Sequence, residues 1–126
     1  MEREMDPQVR FPGLEINVSW PGASPEEVEQ QVVARIEESV RDLDSIEWVR
    51  SSSREGYGGV YILAEQDVDF TQFMNDVKIR IDSISTLPRD IEPPQVQQWV
   101  NRDEFIRVAV SGDLGERELK RLAETL

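Results

Sequence analysis

Leu14, Ile16, Val18 and Trp20 alternate with Glu15, Asn17 and Ser19, the period-2 pattern of a half-buried strand. Pro21-Gly22 breaks the pattern, and Ser24-Pro25-Glu26-Glu27 follows with the marks of a helix start. Ser24 is placed as the N-cap, Pro25 as the first helical residue and Glu27 as the closing acid of a capping box. Val28, Val32, Ile36 and Val40 then recur four apart, with Leu43 continuing the stripe, which predicts a helix over residues 25–41. A weaker strand pattern over 46–53 carries Trp48 and Val49, and Glu55-Gly56-Tyr57-Gly58-Gly59 supplies the positive-φ residues of a hairpin. Residues 60–65 are apolar on both faces, as in a central strand. Asp69 with Gln72 caps a second helix, whose stripe is Phe70, Phe73, Met74, Val77, Ile81 and Ile84. Leu87-Pro88 stops it, and Pro93-Pro94 leads into a short strand over 95–100.

The pattern then recurs. Ile106, Val108 and Val110 alternate over 105–111, a turn follows at 112–116, and Leu119, Leu122, Ala123 and Leu126 begin a third amphipathic helix. Strand centres at Ile16, Ile62 and Val108 lie 46 residues apart. The chain therefore reads as two β-α-β units and the opening β-α of a third. The expected fold is α+β: over residues 12–102, a ferredoxin-like split β-α-β sandwich of four antiparallel strands with both helices on one face and the other face open. Residues 1–11 read as a linker, and residues 103–126 as the truncated start of a second subdomain. The stripe still in progress at Leu126 predicts a piece of a longer protein.

Composition narrows the chemistry. The 126 residues carry 14 Lys+Arg against 26 Asp+Glu, a net charge of −12, which disfavours nucleic acid and anionic lipid as partners. With no Cys and no His, the chain lacks thiol nucleophiles, thiolate zinc sites, the commonest general base and the commonest transition-metal ligand. The longest apolar run, residues 60–64, is far below the ~20 residues of a transmembrane helix. Residues 1–10 are charged and hold no apolar stretch of the signal-peptide kind.

The segment from Phe11 to Ser53, followed by Gly56 to Glu65 and Leu87-Pro88, resembles the periplasmic porter region of resistance-nodulation-division (RND) efflux transporters of the multidrug, acriflavine-resistance type. The strongest element is Trp20-Pro21-Gly22-Ala23-Ser24-Pro25-Glu26-Glu27-Val28-Glu29. Phe11-Pro12, Ile36-Glu37, Ser51-Ser52-Ser53 and Leu87-Pro88 support it in order along the chain. The resemblance implies the first porter subdomain and the start of the second, in a trimeric, proton-driven transporter of the bacterial inner membrane, with this segment in the periplasm. It implies as partners the rest of the transporter chain, the homotrimer, a periplasmic adaptor, an outer-membrane channel and small organic substrates, and no cofactor. The isolated chain would transport nothing, and its β-α tail is expected to pack on a sheet edge or swap with a second copy.

Two sets of residues follow. In this family the second helix of the first subdomain lines a pore at the trimer axis. Here the side away from the apolar stripe carries Thr71, Asn75, Lys78, Asp82 and Ser85. Periodicity alone gives a solvated helix face, and the resemblance gives a trimer-facing one. The strand opening the next subdomain contributes an aromatic to the drug pocket in multidrug members, and Phe105 matches that place, with a core role as the alternative. Asp103, Glu104 and Arg107 depart from the less charged run usual there.

Other chemistry fails on inspection. Glu26-Glu27 sits where acids stabilise a helix dipole. Asp67-Val68-Asp69 starts like a calcium loop, but Gln72 stands where Gly is needed and Lys78 where Glu is needed. Gly56-Tyr57-Gly58-Gly59 precedes a strand, not the helix of a phosphate-binding loop. Trp20, Trp48 and Trp99 are most simply core or sheet-face residues. No enzyme constellation is present. Without His or Cys, organic or amphiphilic substrates are expected over metals. The competing expectation is a free-standing ferredoxin-like regulatory or ligand-binding domain.

Overall fold

The computed structural model describes residues 11–111. In chain order these form β1 (Gly13–Ser19), α1 (Pro25–Val28), a π-helical turn (Glu29–Val33), α2 (Ala34–Val40), β2 (Ile46–Arg54), β3 (Tyr57–Ala64), α3 (Phe70–Asp82), β4 (Gln95–Trp99) and α4 (Arg102–Ser111). The strands make one sheet in the order β2-β3-β1-β4, with every neighbouring pair antiparallel. This is the split β-α-β, ferredoxin-like arrangement expected from the sequence.

The capping box forms as read. Ser24 Oγ accepts from the Glu27 N–H at 3.1 Å, and Glu27 Oε1 accepts from the Ser24 N–H at 2.9 Å. Beyond it the helix is not uniform, because α1 and α2 are joined through the π-turn. The spacing of the valines explains this. Each four-residue step oversteps an α-helical turn by about 40°, so a strict four-apart stripe would wind off the sheet. A wider π-turn takes up the excess and buries Val32 and Val33 together. The helix lies tight on β3 at Gly58, where a Cβ would come within 2.9 Å of both Val28 Cγ1 and Val33 Cγ2.

The helix-covered face is aliphatic. Leu14, Ile16 and Val18 of β1 and Val60, Ile62 and Ala64 of β3 pack under Val28, Val32, Ile36 and Val40, and under Phe73, Val77 and Ile81 of α3. At one end of the sheet, Gly22 (φ +89°) and Gly56 (φ +73°) set two turns that are bonded together. Trp20 N–H donates to Gly56 O at 2.8 Å and Gly56 N–H to Ala23 O at 2.9 Å.

Two expectations are corrected. Residues 105–111 are not a strand: Arg102–Ser111 is the helix α4. Asn101 caps it, its Oδ1 accepting from the Glu104 N–H at 2.8 Å, and Asp103 and Glu104 fill the acidic first turn. Phe105, Ile106, Ala109 and Val110 are the buried positions, a helical stripe that competes with the alternation Ile106, Val108, Val110. The stripe wins because the second face of the sheet is itself apolar at that end. That face is accordingly not open, since Phe105, Ile106 and Ala109 pack with Tyr61 against Phe11, Trp48, Leu63 and Trp99. β3 also begins earlier than read, at Tyr57, leaving Glu55-Gly56 as the turn. The predicted linker, apart from Phe11, and the predicted helix of the tail lie outside the described residues.

Candidate functional site

The register of the four strands lays out the second face in cross-strand rows. Trp48, Leu63, Gly13 and Trp99 form the first; Arg50, Tyr61, Glu15 and Gln97 the second; Ser52, Gly59, Asn17 and Gln95 the third. The first row is apolar and glycine interrupts it, so the two tryptophans stand either side of a notch. α4 lies over this end and its Phe105 fills the notch together with Phe11, whose ring a Cβ on Gly13 would meet first. Phe105 is 0% exposed, and a Cβ on Gly13 would come within 3.2 Å of its ring. Its ring stacks on Trp48 with centroids 5.7 Å apart and meets Phe11, Trp99 and Tyr61 edge-on at 5.2, 6.0 and 6.2 Å.

The second row carries the charge. Glu15 is only 5% exposed although β1's alternation puts it opposite the aliphatic core. Its Oε1 accepts from the Trp99 indole N–H at 2.8 Å and from Gln97 Nε2 at 3.4 Å. The Tyr57 hydroxyl stands 3.5 Å from Oε2 and donates to Asn17 Oδ1. A buried carboxylate needs such donors, because an unpaired one would cost several kcal/mol. Its charge acts on both tyrosines. Burial first, and the nearby Glu15 carboxylate second, push the Tyr61 phenol up from 10 to about 12 and raise Tyr57 as well. The Arg50 guanidinium sits 5.7 Å over the Trp48 ring, a cation–π contact.

The helix candidates fall elsewhere. Thr71, Asn75, Lys78 and Asp82 lie exposed on the outer side of α3, and Ser85 is exposed just beyond its end. Ile79 joins them at 55% exposure, an apolar residue the polar reading of that face passed over. The sheet separates this surface from Phe105, so the two candidate sets are not brought into one site. Sequence reasoning missed Glu15, Tyr57 and Tyr61. The one signal available was a lone Glu within a strand whose neighbouring strand is apolar on both faces.

The acidic side chains gather at a third place, a groove of about 510 Å³ between the start of β2 and α3, lined by Asp42, Asp44, Glu65, Asp67, Asp69 and Asp76 together with Arg80. Asp69 is occupied as the α3 N-cap, accepting from the Gln72 N–H at 3.2 Å. Arg80 pairs with Asp42 and holds its carboxyl below the ordinary value. Among the described residues no group of three or more His, Cys, Asp or Glu is placed to hold a metal ion, and no helix is long and apolar enough to cross a membrane.

Fold and faces together define a ferredoxin-like α+β subdomain with one aliphatic and one aromatic face. The family that matches is described as the AcrB/AcrD/AcrF family, over residues 4–126. The chain belongs to that family, as a porter segment of an RND transporter.

Among relatives, the chain is 28% identical over 114 residues to the swarming motility protein SwrC of Bacillus subtilis, covering 90% of this chain and 11% of that protein. It is 29% identical over 91 residues to the nickel and cobalt resistance protein CnrA of Cupriavidus metallidurans, covering 71% of this chain and 8% of the relative. The crystal structure of a heavy metal efflux pump shares the fold, with TM-score 0.64 and 21% identity over 75% of this chain and 10% of the pump. The chain thus spans about a tenth of the length of the proteins it matches.

Proposed function

We propose that this chain is a periplasmic, substrate-path segment of a proton-driven efflux transporter that exports organic or amphiphilic compounds. The reading combines family membership with the make-up of the sheet's second face, where packed aromatic rings meet one buried carboxylate. A segment without His or Cys offers no thiolate or imidazole ligand to a transition metal, and its soft donors are the thioethers of Met1, Met5 and Met74. The names of the relatives point in more than one direction, one to motility and one to nickel and cobalt. In the full protein the segment works as a rigid subdomain that tilts against its neighbours, within a trimer in the bacterial inner membrane served by an adaptor and an outer-membrane channel. The outer side of α3 faces the other subunits in this reading. The segment performs no catalytic step.

Expression of the full-length transporter in a pump-deficient strain tests the reading. The expected result is lowered accumulation of amphiphilic dyes and detergents, abolished by a protonophore, with nickel and cobalt tolerance unchanged. Metal tolerance without dye export overturns the substrate class. In the same strain, Asn75→Trp and Asp82→Trp are expected to impair trimer assembly, and normal assembly and efflux of both would place the α3 face in solvent.

A further inference from the structure

Among the described residues the pair Asp-Ser occurs twice, at Asp44-Ser45 and at Asp82-Ser83, and the fold treats the two unlike. In the joint between α2 and β2, Asp44 is exposed, and no described residue hydrogen-bonds or pairs with its carboxyl group. The main-chain N–H of Ser45 has no acceptor among the described residues either. Ser45 is also the one described residue other than glycine with a positive φ, +74°, a left-handed conformation that a Cβ disfavours. At the end of α3 the equivalent group is engaged: the Ser83 N–H donates to Ile79 O at 3.1 Å and to Arg80 O at 3.2 Å. Asp42 is shielded in the same way, because the Leu43 N–H donates to Val40 O at 3.1 Å. We propose that Asp44 is a site of spontaneous covalent modification, where the chain isomerises to an isoaspartyl linkage through a cyclic imide.

The reaction needs no reagent but water. The Ser45 amide nitrogen attacks Cγ of Asp44 and an N–Cγ bond forms. A Cγ–O bond breaks, and the carboxyl hydroxyl leaves as water with the amide proton, giving a succinimide ring. Water then opens the ring at either of its carbonyls. Cleavage between nitrogen and Cγ restores aspartate. Cleavage between nitrogen and the main-chain carbonyl carbon leaves Ser45 attached through Cγ, with one extra carbon in the main chain and the former carbonyl as a free carboxylate. No atom is gained or lost overall. A small residue after the aspartate lets the nitrogen approach, and a free N–H leaves it unconstrained. An N–H held in the last turn of a helix must first be released by local opening. The left-handed turn favours the product, because lengthening the main chain ahead of Ser45 relaxes the constraint on its φ. Ser45 O accepts from the Glu65 N–H at 2.8 Å, so the added carbon falls at the joint between the start of β2 and the end of β3. Asp44, Ser45 and Glu65 all line the acidic groove there.

Tryptic mapping of the 126-residue chain after weeks at mildly acidic pH, in water enriched in oxygen-18, tests this. Trypsin releases residues 42–50 and 81–89 as separate peptides, one for each Asp-Ser pair. The first peptide is expected to accept methyl groups from an isoaspartyl methyltransferase and to carry solvent oxygen at residue 44. Labelling at Asp44 is expected to exceed labelling at Asp82 by at least about tenfold, and denaturant is expected to bring the two within about twofold by freeing the Ser83 N–H. Asp44→Ala is expected to abolish the signal in the first peptide, and a signal that persists belongs to Asp42 and overturns the assignment. Asp44→Asn and Asp82→Asn repeat the comparison at neutral pH through the same imide, with ammonia as the leaving group. Asp44→Asn is expected to lose ammonia at least about tenfold faster. No isoaspartate at Asp44, or equal rates at the two sites in the folded chain, overturns the proposal.

Discussion

The two faces of this sheet solve the same problem with different materials. Under α1, α2 and α3 the packing is almost wholly Val, Ile and Leu, assembled from elements spread from β1 to α3. Under α4 it is aromatic, with a carboxylate at its border, and among the described residues one helix covers it. Burial on the first face is shared by many elements, so none of them can leave alone. On the second face, among the described residues, a single helix provides the cover. The contrast makes one face a framework and the other a place where occupancy can change, as expected of surfaces that move or bind.

The largest effect is expected in the framework. Ile62 is fully buried on β3, paired in register with Leu14 and Val49 beneath the helices. Ile62→Ala removes most of the side chain and leaves a hollow that rigid neighbours do not fill, at a cost of about 3–4 kcal/mol. Denaturant unfolding should show one transition moved to lower midpoint with an unchanged slope. A loss below about 1 kcal/mol would mean that the helical layer is loosely packed, and the comparison of the faces would fail.

Phe105→Ala should cost less although the ring is larger and equally buried. In a framework position such a change costs about 3–5 kcal/mol. Here the loss is capped by the free energy that docks α4, because the helix can detach and leave the sheet folded. Global stability is expected to fall by about 1 kcal/mol, while the amides of residues 105–110 lose their protection in hydrogen exchange. A global loss as large as that of Ile62→Ala, with no selective loss of protection in α4, would show the two faces to be one cooperative unit.

Much of the framework was legible because its signals agree across levels. The Ser24 capping box, the four-apart valines, the alternation in β1 and the Leu87-Pro88 stop each pointed to the element that forms. The π-turn was written in the same valines, since a strict spacing of four cannot follow an α-helix, but alternation and periodicity templates do not register it. The second face was read less well for a physical reason. Residues 105–111 satisfy both a strand and a helix pattern, and the choice is made by Trp48, Leu63, Gly13 and Trp99, which come together only through strand pairing. Asn101 caps α4 by accepting from the Glu104 N–H, a helix start that the reading of alternation did not include. Glu15 on an outward position reads as solvated, and nothing local announces Trp99, 84 residues on, as its donor. Local sequence thus determines elements, whereas the second face arises from pairing at a distance.

The smallest expected effect separates the faces by pH. Among the described residues the buried cluster of the aliphatic face is wholly apolar, whereas the second face holds buried phenols that titrate at alkaline pH. Tyr61 is 4% exposed there, and burial and the Glu15 charge raise its phenol from 10 to about 12. The sign follows from linkage: below pH 10 the phenol is protonated in both folded and unfolded chains, and stability is unaffected. Between about pH 10 and 12 the unfolded chain releases the proton while the folded one retains it, so stability falls over that window and levels off above it. Tyr57, raised for the same reasons, adds to the slope. Tyr61→Phe should flatten this limb of a plot of unfolding midpoint against pH, at little cost near neutrality, and Glu15→Gln should shorten it from its upper end, because removing the nearby charge lowers the folded phenol's value while the unfolded one stays at 10. An alkaline limb unchanged by Tyr61→Phe would mean that the second face opens before its phenol titrates, with α4 already detached.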